Sequence, residues 1–436
     1  MSDSSRSVPR GRVRRFGKFA RLAGGVAGNM LAQGAKQVAS GQRPKARDLL
    51  LTPANARRLT RQLSEMRGAA MKLGQILSMD SGDLLPRELA DILATLRNAA
   101  YAMPERQLDE VLTEAFGVEH QSVLIDFEQK PFAAASIGQV HRLRSARGQP
   151  AVLKIQYPGV RESIDSDVDN LAALLRVSGL LPKHMNISPL LTEVKAQLHE
   201  EADYKQEANY LRAFVKGLGN DERFLLPRVI PSLSGSRVLG LTYVEGVAIE
   251  EVVDEDQEER DRVMSLLFEL LLIELFELGL VQTDPNFANY RYNPETGQVV
   301  LLDFGASKYF PDTFTTAYLN LLASAIEGDR MGMAAAAETA GYSLGPAGSP
   351  YREIVLDLLQ LALEPISCGE GYDFGESTLP MRLAEMGQQI RGNKEYWEVP
   401  PMYAAYIHRK IAGLFLLASR LKARVNIYEL VLPWLD

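Results

Sequence analysis

Between Leu278 and Phe304 the chain reads Leu-Gly-Leu-Val-Gln-Thr-Asp284-Pro-Asn-Phe-Ala-Asn289, turns at Asn293-Pro294 and Gly297, and continues Val-Val-Leu-Leu-Asp303-Phe-Gly. A carboxylate and an amide five residues apart are thus joined by a hairpin to a second carboxylate at the end of an apolar strand. A fold that accepts this stretch must bring all three groups to one cleft. Phosphoryl transfer requires such a set: one carboxylate near the nucleophile, and an amide and a second carboxylate to hold Mg²⁺ on the phosphates. An acidic turn beside a buried strand would explain Asp303-Phe-Gly alone. It does not explain that tripeptide together with Asp284 and Asn289 at hairpin distance.

The Asp-to-Asn spacing is that of a protein-kinase catalytic loop, and kinases likewise follow it with an apolar strand ending in Asp-Phe-Gly. At 436 residues the chain is long enough for two or three domains. A single cysteine, Cys368, excludes an intramolecular disulfide framework and fits a reducing compartment. The most apolar run, Val263 to Val281, contains Glu269, Glu274 and Glu277, each costly in a bilayer, so a buried core helix of the larger lobe is expected there. Ile411 to Ser419 is too short to span a membrane, and the N-terminus lacks the apolar core of a secretory signal.

Charge is unevenly placed. Residues 1–50 hold eight Arg and three Lys against Asp3 and Asp48, a net of +9, which leaves −16 for the rest. A basic arm on an acidic body points to an anionic partner. Residues 1–12, rich in Ser, Gly and Arg, read as disordered. From Val13, Phe16, Phe19, Ala23, Val26 and Met30 form an apolar stripe, with Arg14, Arg15, Lys18 and Arg21 largely off it. This basic amphipathic helix either lies on an anionic membrane or docks on the body with its charges solvated. No aromatic-interleaved basic platform is present, so nucleic acid is not the expected partner.

Helices are predicted over 56–79 (opened by Thr52-Pro53), 86–99 and 104–116. The period then changes. Val123–Phe127, Ile137–Leu143 and Ala151–Gln156 read as strands, the third ending Ala-Val-Leu-Lys154. An inward-facing Lys on a buried strand needs a carboxylate. Candidates lie on a helix expected over 189–215: Glu200, Glu201, Asp203 and Glu207, four acids that repel one another unless cations are near. Where kinases carry a Gly-rich loop, this chain has Ala133-Ala134-Ala135-Ser136-Ile-Gly138-Gln139, which restricts the backbone from wrapping phosphates. Val229–Pro231 and Arg237–Val244 supply two more strands, and Tyr243-Val244 leaves the small lobe as a hinge would. Asp254–Asp261 reads as a solvated helix start, and helices fill much of 313–338, 351–363, 378–390 and 402–421. After Asp303-Phe-Gly305 there is no long activation segment and no Ala-Pro-Glu, so peptide substrates are not expected.

Together, Lys72-Leu-Gly74-Gln75, Ala133-Ala-Ala-Ser136, Val152-Leu-Lys154, Glu201-Ala-Asp203-Tyr204 with Glu207, Gln282-Thr-Asp284-Pro-Asn-Phe-Ala-Asn289 and Asp303-Phe-Gly305 occur in the order expected of the UbiB/AarF/ADCK family of atypical protein-kinase-like proteins. Tyr406-Ile-His408-Arg-Lys-Ile-Ala-Gly413 also resembles that family's C-terminal segment. The resemblance covers the chain from about residue 50 onward. It implies that Lys154 contacts nucleotide phosphates and pairs with Glu207, that Asn289 and Asp303 bind Mg²⁺, and that Asp284 stands at the catalytic position. Lys72 and Gln75 would fold over the cleft, with Lys72 facing Glu201 and Asp203. Ala133, Ala134, Ala135, Ser136, Glu201, Asp203, Tyr243 and Val244 would line the nucleotide site with Lys154.

The fold so implied is α+β: a bilobal protein-kinase-like body with an antiparallel-sheet N-lobe, a mostly helical C-lobe and an N-terminal helical extension. The expected domains are a basic arm (1–50), a helical extension (51–122), an N-lobe (123–245) and a C-lobe (246–436). The implied activity is a Mg²⁺-dependent ATPase or small-molecule kinase, using ATP/ADP, that supports ubiquinone biosynthesis at the membrane surface. Its implied partners are a membrane or quinone-precursor lipid and quinone-biosynthesis enzymes. A pseudokinase that uses nucleotide as a switch for lipid binding, and a true protein kinase, are the alternatives. The alanine tract disfavours the last. No C-terminal membrane span of the kind some bacterial members carry is visible, so membrane contact is expected to be peripheral, in a bacterial cytoplasmic protein.

Overall fold

The computed structural model describes residues 102–178, 188–391 and 401–435, together with Lys72. The amphipathic arm over 13–30, the helices expected over 56–79 and 86–99 (Lys72 aside) and Gln75 lie outside the described residues. The chain divides into two compact units, one comprising residues up to Asn209 with Arg228–Tyr243, the other Tyr210–Pro227 with Val244 onward.

The first unit is built on an antiparallel sheet of β1 (Ala133–Ala134), β2 (Gly138–Arg144), β3 (Pro150–Gln156) and β5 (Val238–Thr242), in that spatial order. Alternation along β3 sorts its side chains. Ala151, Leu153 and Ile155 are buried, while Val152 and Lys154 occupy the other face. Register places Val140 opposite Lys154 and Arg142 opposite Val152, so these four share that second face. The apolar face packs on α1 (Glu105–Phe116), whose Leu108, Val111 and Leu112 recur at helical spacing against Leu143, Ala151, Leu153 and Ile155. Each buried Leu, Val or Ile among them contributes about 1.5–3 kcal/mol by leaving water.

Two expected strands are not strands. Residues 120–123 form a helical turn, α2 (His120–Val123), and Asp126 takes a positive φ of 50°, so the 123–127 segment keeps only one bridge, Ile125 to Arg144. Val229 likewise makes a lone bridge to Leu241, because Pro231 has no N–H to donate and opens a short 3₁₀ turn instead. A further helix, α3 (Val160–Ser178), follows β3, with Ile164, Val168, Leu171 and Ala172 buried at helical spacing. The single helix expected over 189–215 is two: α4 (Ser188–Glu201) and α5 (Tyr204–Leu218). The break lies where the Asp203 N–H bonds the Glu200 carbonyl and Asp203 Oδ1 accepts from the Gln206 N–H, which makes Asp203 a cap for α5.

In the second unit, α6 (Gln257–Leu272) is capped by Asp256, whose carboxylate accepts from the Glu259 N–H at 2.9 Å. The acidic run is thus a helix start, where negative charge meets the positive end of the dipole. The apolar stretch does not stay helical to Val281. It widens into a π turn over Ile273–Glu277, and Gly279, at φ 56°, lets the chain turn into β7 (Leu280–Gln282). β7 pairs with β10 (Ser307–Tyr309). A second sheet runs β4 (Phe224–Leu225), β9 (Gln298–Leu301), β8 (Tyr290–Asn293), β6 (Val247–Ala248). Helices α7 (Asp312–Glu327), α8 (Arg330–Thr339), α9 (Pro350–Ala362), α10 (Glu364–Ser367), α11 (Leu379–Arg391), α12 (Met402–Leu421) and α13 (Ile427–Val431) make up most of the remainder. Helix α7 begins at Asp312, close after β10, so a long activation segment is absent, as expected.

Candidate active site

Each unit carries one set of the expected residues. In the first, Lys154 sits mid-strand in β3 with neighbours on both sides, Val140 in β2 and Leu239 in β5, so the sheet fixes where its side chain leaves. Its ammonium donates to both carboxylate oxygens of Glu207, at 2.8 and 2.9 Å. Glu207 is 3% exposed and Lys154 13%, so the pair is largely desolvated. The Tyr204 ring lies 5.1 Å from the same ammonium. Of the four candidate acids, Glu207 is therefore the partner of Lys154.

Glu201 has a different task. Its Oε1 accepts from the ammonium of Lys72 at 2.6 Å, and its Oε2 from the Ser136 hydroxyl, also at 2.6 Å. Lys72 is helical and only 3% exposed. One carboxylate therefore ties Lys72 to the alanine tract. That tract is a short strand, Ala133 opposite Val140 and Ala134 opposite Gln139, closed by the Ala135 N–H on the Gly138 carbonyl. At Gly138 a Cβ would strike the Ile155 carbonyl, so the glycine is needed for close approach of β2 and β3. Asp203 does not join this cluster as expected. Besides capping α5, its carboxylate lies 3.7 Å from Arg161, at the surface. Tyr243 bonds back to the Pro150 carbonyl, and its ring faces Arg142, whose guanidinium also lies 3.9 Å above the Phe132 ring. Val244 begins the second segment of the second unit.

In the second unit, β7 delivers Thr283, whose N–H and hydroxyl both bond the Ala306 carbonyl. Half-buried Asp284 follows. The Asn286 side chain accepts from the Ala288 N–H, and the Asn289 N–H bonds the Asn286 carbonyl, which closes the loop as a 3₁₀ turn. Asn289, 7% exposed, donates its amide N–H to the Asp284 carbonyl at 3.3 Å. The Asn289 carbonyl accepts from the Leu302 N–H, which places it beside the residue preceding Asp303. Asp303 is half-buried, with Oδ1 held by the Gly305 N–H at 2.9 Å. Phe304 is buried against Phe214, ring centres 4.8 Å apart. Asp284, Asn289 and Asp303 are thus brought together by two short strand-flanked loops.

The family model for the ABC1 atypical kinase-like domain matches residues 95–337. The mitochondrial atypical kinase COQ8 of Saccharomyces cerevisiae is 37% identical over 98% of this chain and 85% of its own length. This chain belongs to the ABC1 atypical kinase-like family. The UbiB/AarF/ADCK resemblance and the α+β kinase-like fold are thereby confirmed. Mitochondrial atypical kinase COQ8B of Danio rerio is 36% identical over 98% of this chain and 69% of its own length. Among solved structures, Rv3197 of Mycobacterium tuberculosis, described in complex with erythromycin, aligns with a TM-score of 0.60 and 27% identity, covering 86% of this chain and 94% of that one. The COQ8 and COQ8B relatives are named as mitochondrial, which gives the expectation of a bacterial cytoplasmic protein no support. Among the described residues no helix is long and apolar enough to cross a membrane.

Sequence reasoning left the buried acid Glu274 without a role, beyond its argument against a membrane span. It lies 2% exposed in the π turn, paired with equally buried Lys410 of α12. The signal was present in the sequence, since a charge within an apolar helical run requires a counterion.

Proposed function

We propose that this chain binds Mg²⁺-nucleotide and acts as an ATPase or small-molecule kinase in support of ubiquinone biosynthesis, peripherally at a membrane. The observation that carries the reading is the desolvated Lys154–Glu207 pair, which orients one ammonium on the polar face of β3. An ammonium so oriented is a compact point charge suited to phosphate oxygens. The carboxylate of Asp303 and the amide oxygen of Asn289 are hard oxygen donors that fit Mg²⁺, which takes one or two protein ligands and completes its shell with phosphate and water. When bound, Mg²⁺ would neutralise charge on the transferring phosphate.

Asp284 would orient the attacking hydroxyl or water. Glu201 would fix Ser136 and Lys72 over the phosphates and hold the alanine tract down. Because α7 starts so soon after β10, little chain is left to form a peptide platform. This supports water or a small acceptor such as a phenolic quinone precursor. The test is phosphate release by the purified chain, with and without anionic liposomes and a ubiquinone-precursor-like phenol. Stimulated, Mg²⁺-dependent release is expected. No nucleotide binding and no release would refute the enzyme reading.

The pinned alanine tract favours one second reading, a non-catalytic lipid-binding module with nucleotide as its switch. In that case ATP would raise the melting temperature while no phosphate is released.

A further inference from the structure

The Tyr406–Gly413 segment of α12 has no part in the chemistry above, yet two of its residues reach the Asp284 loop. Lys410 and Glu274 form an ion pair that is 1% and 2% exposed. The backbone N–H of Gln282, at the entry to the loop, favours the charged form of the Glu274 carboxylate. The Tyr290 hydroxyl, at the exit of the loop, likewise interacts with the Lys410 ammonium and favours its charge. Gly413, one helical turn beyond Lys410, lies against Pro285, where a Cβ would stand 2.5 Å from the proline Cβ. Burial pushes the Glu274 carboxyl up, and it opposes the Lys410 charge, but Glu274 and Tyr290 more than offset this and raise the Lys410 pKa.

A buried ion pair is weak support for stability alone, because apolar residues of similar volume often serve as well. Here the two charges interact with groups at opposite ends of one short loop, and Gly413 of the Lys410 helix packs against Pro285 within it. The π turn is what carries Glu274 there, a departure from regular helix of the kind that clusters at functional sites. We propose that the Glu274–Lys410 pair is a positioning device that clamps the loop Thr283–Asn289 at both ends and so sets the directions of Asp284 and Asn289. It acts through the backbone and touches no substrate, and it rests on the Mg²⁺-nucleotide reading of that loop.

The test uses the full chain carrying Glu274→Gln with Lys410→Met, which removes both charges and leaves no buried ion without its partner. Two quantities are read: amide hydrogen exchange across 282–290 without ligand, and the Mg²⁺ concentration that half-saturates ADP binding. Loop exchange is expected to speed by about tenfold or more while α6 and α12 stay protected, and the Mg²⁺ requirement to rise about 10–100-fold. Unchanged loop exchange with an unchanged Mg²⁺ requirement would overturn the proposal. If the double variant does not fold, Tyr290→Phe, which removes only one hydroxyl, decides the matter: faster loop exchange supports the clamp and unchanged exchange overturns it. Failure of the unmodified chain to bind Mg-ADP would sink the nucleotide reading instead, and loop exchange alone would then decide whether the clamp exists.

Discussion

Lys154→Met is expected to damage the first unit more than the loss of one surface charge would, and a compensating change should repair it. The substitution leaves the Glu207 carboxylate, 3% exposed, without the cation that holds both its oxygens. Breaking a buried pair in this way costs about 3–5 kcal/mol. At 1.4 kcal/mol per decade, that is roughly 2–3.5 decades in the folding equilibrium. Removing both charges together, in Lys154→Met with Glu207→Leu, should bring stability back to within about 1 kcal/mol of the unmodified chain, or above it.

Whole-chain melting is a poor gauge of this, because a chain of two compact units need not unfold in one step. Amide exchange at Leu153, Lys154 and Ile155 in β3 reads the first unit locally. The single variant should exchange about 100-fold faster or more, the double variant at close to the original rate, and neither should bind Mg-ATP. A single variant with unaltered β3 exchange would mean that the pair is solvated and weak. A double variant as damaged as the single would mean that the ammonium stabilises the sheet by something other than Glu207. Either result refutes the reasoning.

Asp303→Asn should abolish Mg²⁺-dependent nucleotide binding while leaving the melting temperature close to that of the unmodified chain; calorimetric titration with and without Mg²⁺, beside a thermal scan, reads both. Ser136→Ala removes the hydroxyl on Glu201 Oε2, a hydrogen bond to a charged group worth about 1.5–3 kcal/mol; the alanine tract should exchange faster and discrimination among nucleotides, measured by competition, should weaken. The first unit should also lose stability in acid. His141 is fully buried, with its ring nitrogens on Gln139 and the Glu128 carbonyl, and burial holds its pKa below the ordinary 6.5. The unfolded chain then binds the proton more readily, so this contribution is complete above about pH 6.5 and is lost as pH falls from there toward the lower folded value. β3 exchange compared at pH 7.5 and 5.5, after correction for intrinsic rates, should show the loss, and His141→Gln should flatten it.

What could be read from the sequence was the chemistry confined to short loops. Asp284, Asn289 and Asp303 are fixed by spacing across a hairpin, and β8 pairs with β9 as the turn at Asn293-Pro294 requires. The strand carrying Lys154 was legible from its alternation, and α12 from its apolar period. The choice among Glu200, Glu201, Asp203 and Glu207 was not. An uninterrupted helix would set Glu200, Asp203 and Glu207 on nearly one face and Glu201 off it. The break at Ala202–Asp203 puts Glu201 and Glu207 on separate helices, so each finds its own lysine. That break depends on side-chain capping by Asp203, which a reading of apolar period alone does not weigh.

Lys410 shows the same limit more sharply. Within α12 it reads as one more basic residue in an amphipathic helix, a residue type usually found solvated. Glu274 reads as an anomaly in an apolar run. Each is explained only by the other, across 136 residues of chain. A buried charge therefore announces from sequence that a partner must exist, since its desolvation is too costly to leave unanswered, while the identity of that partner is set by the tertiary fold. In this chain, one such answer lies directly beneath the loop on which the proposed chemistry depends, where a rigid helix can hold it.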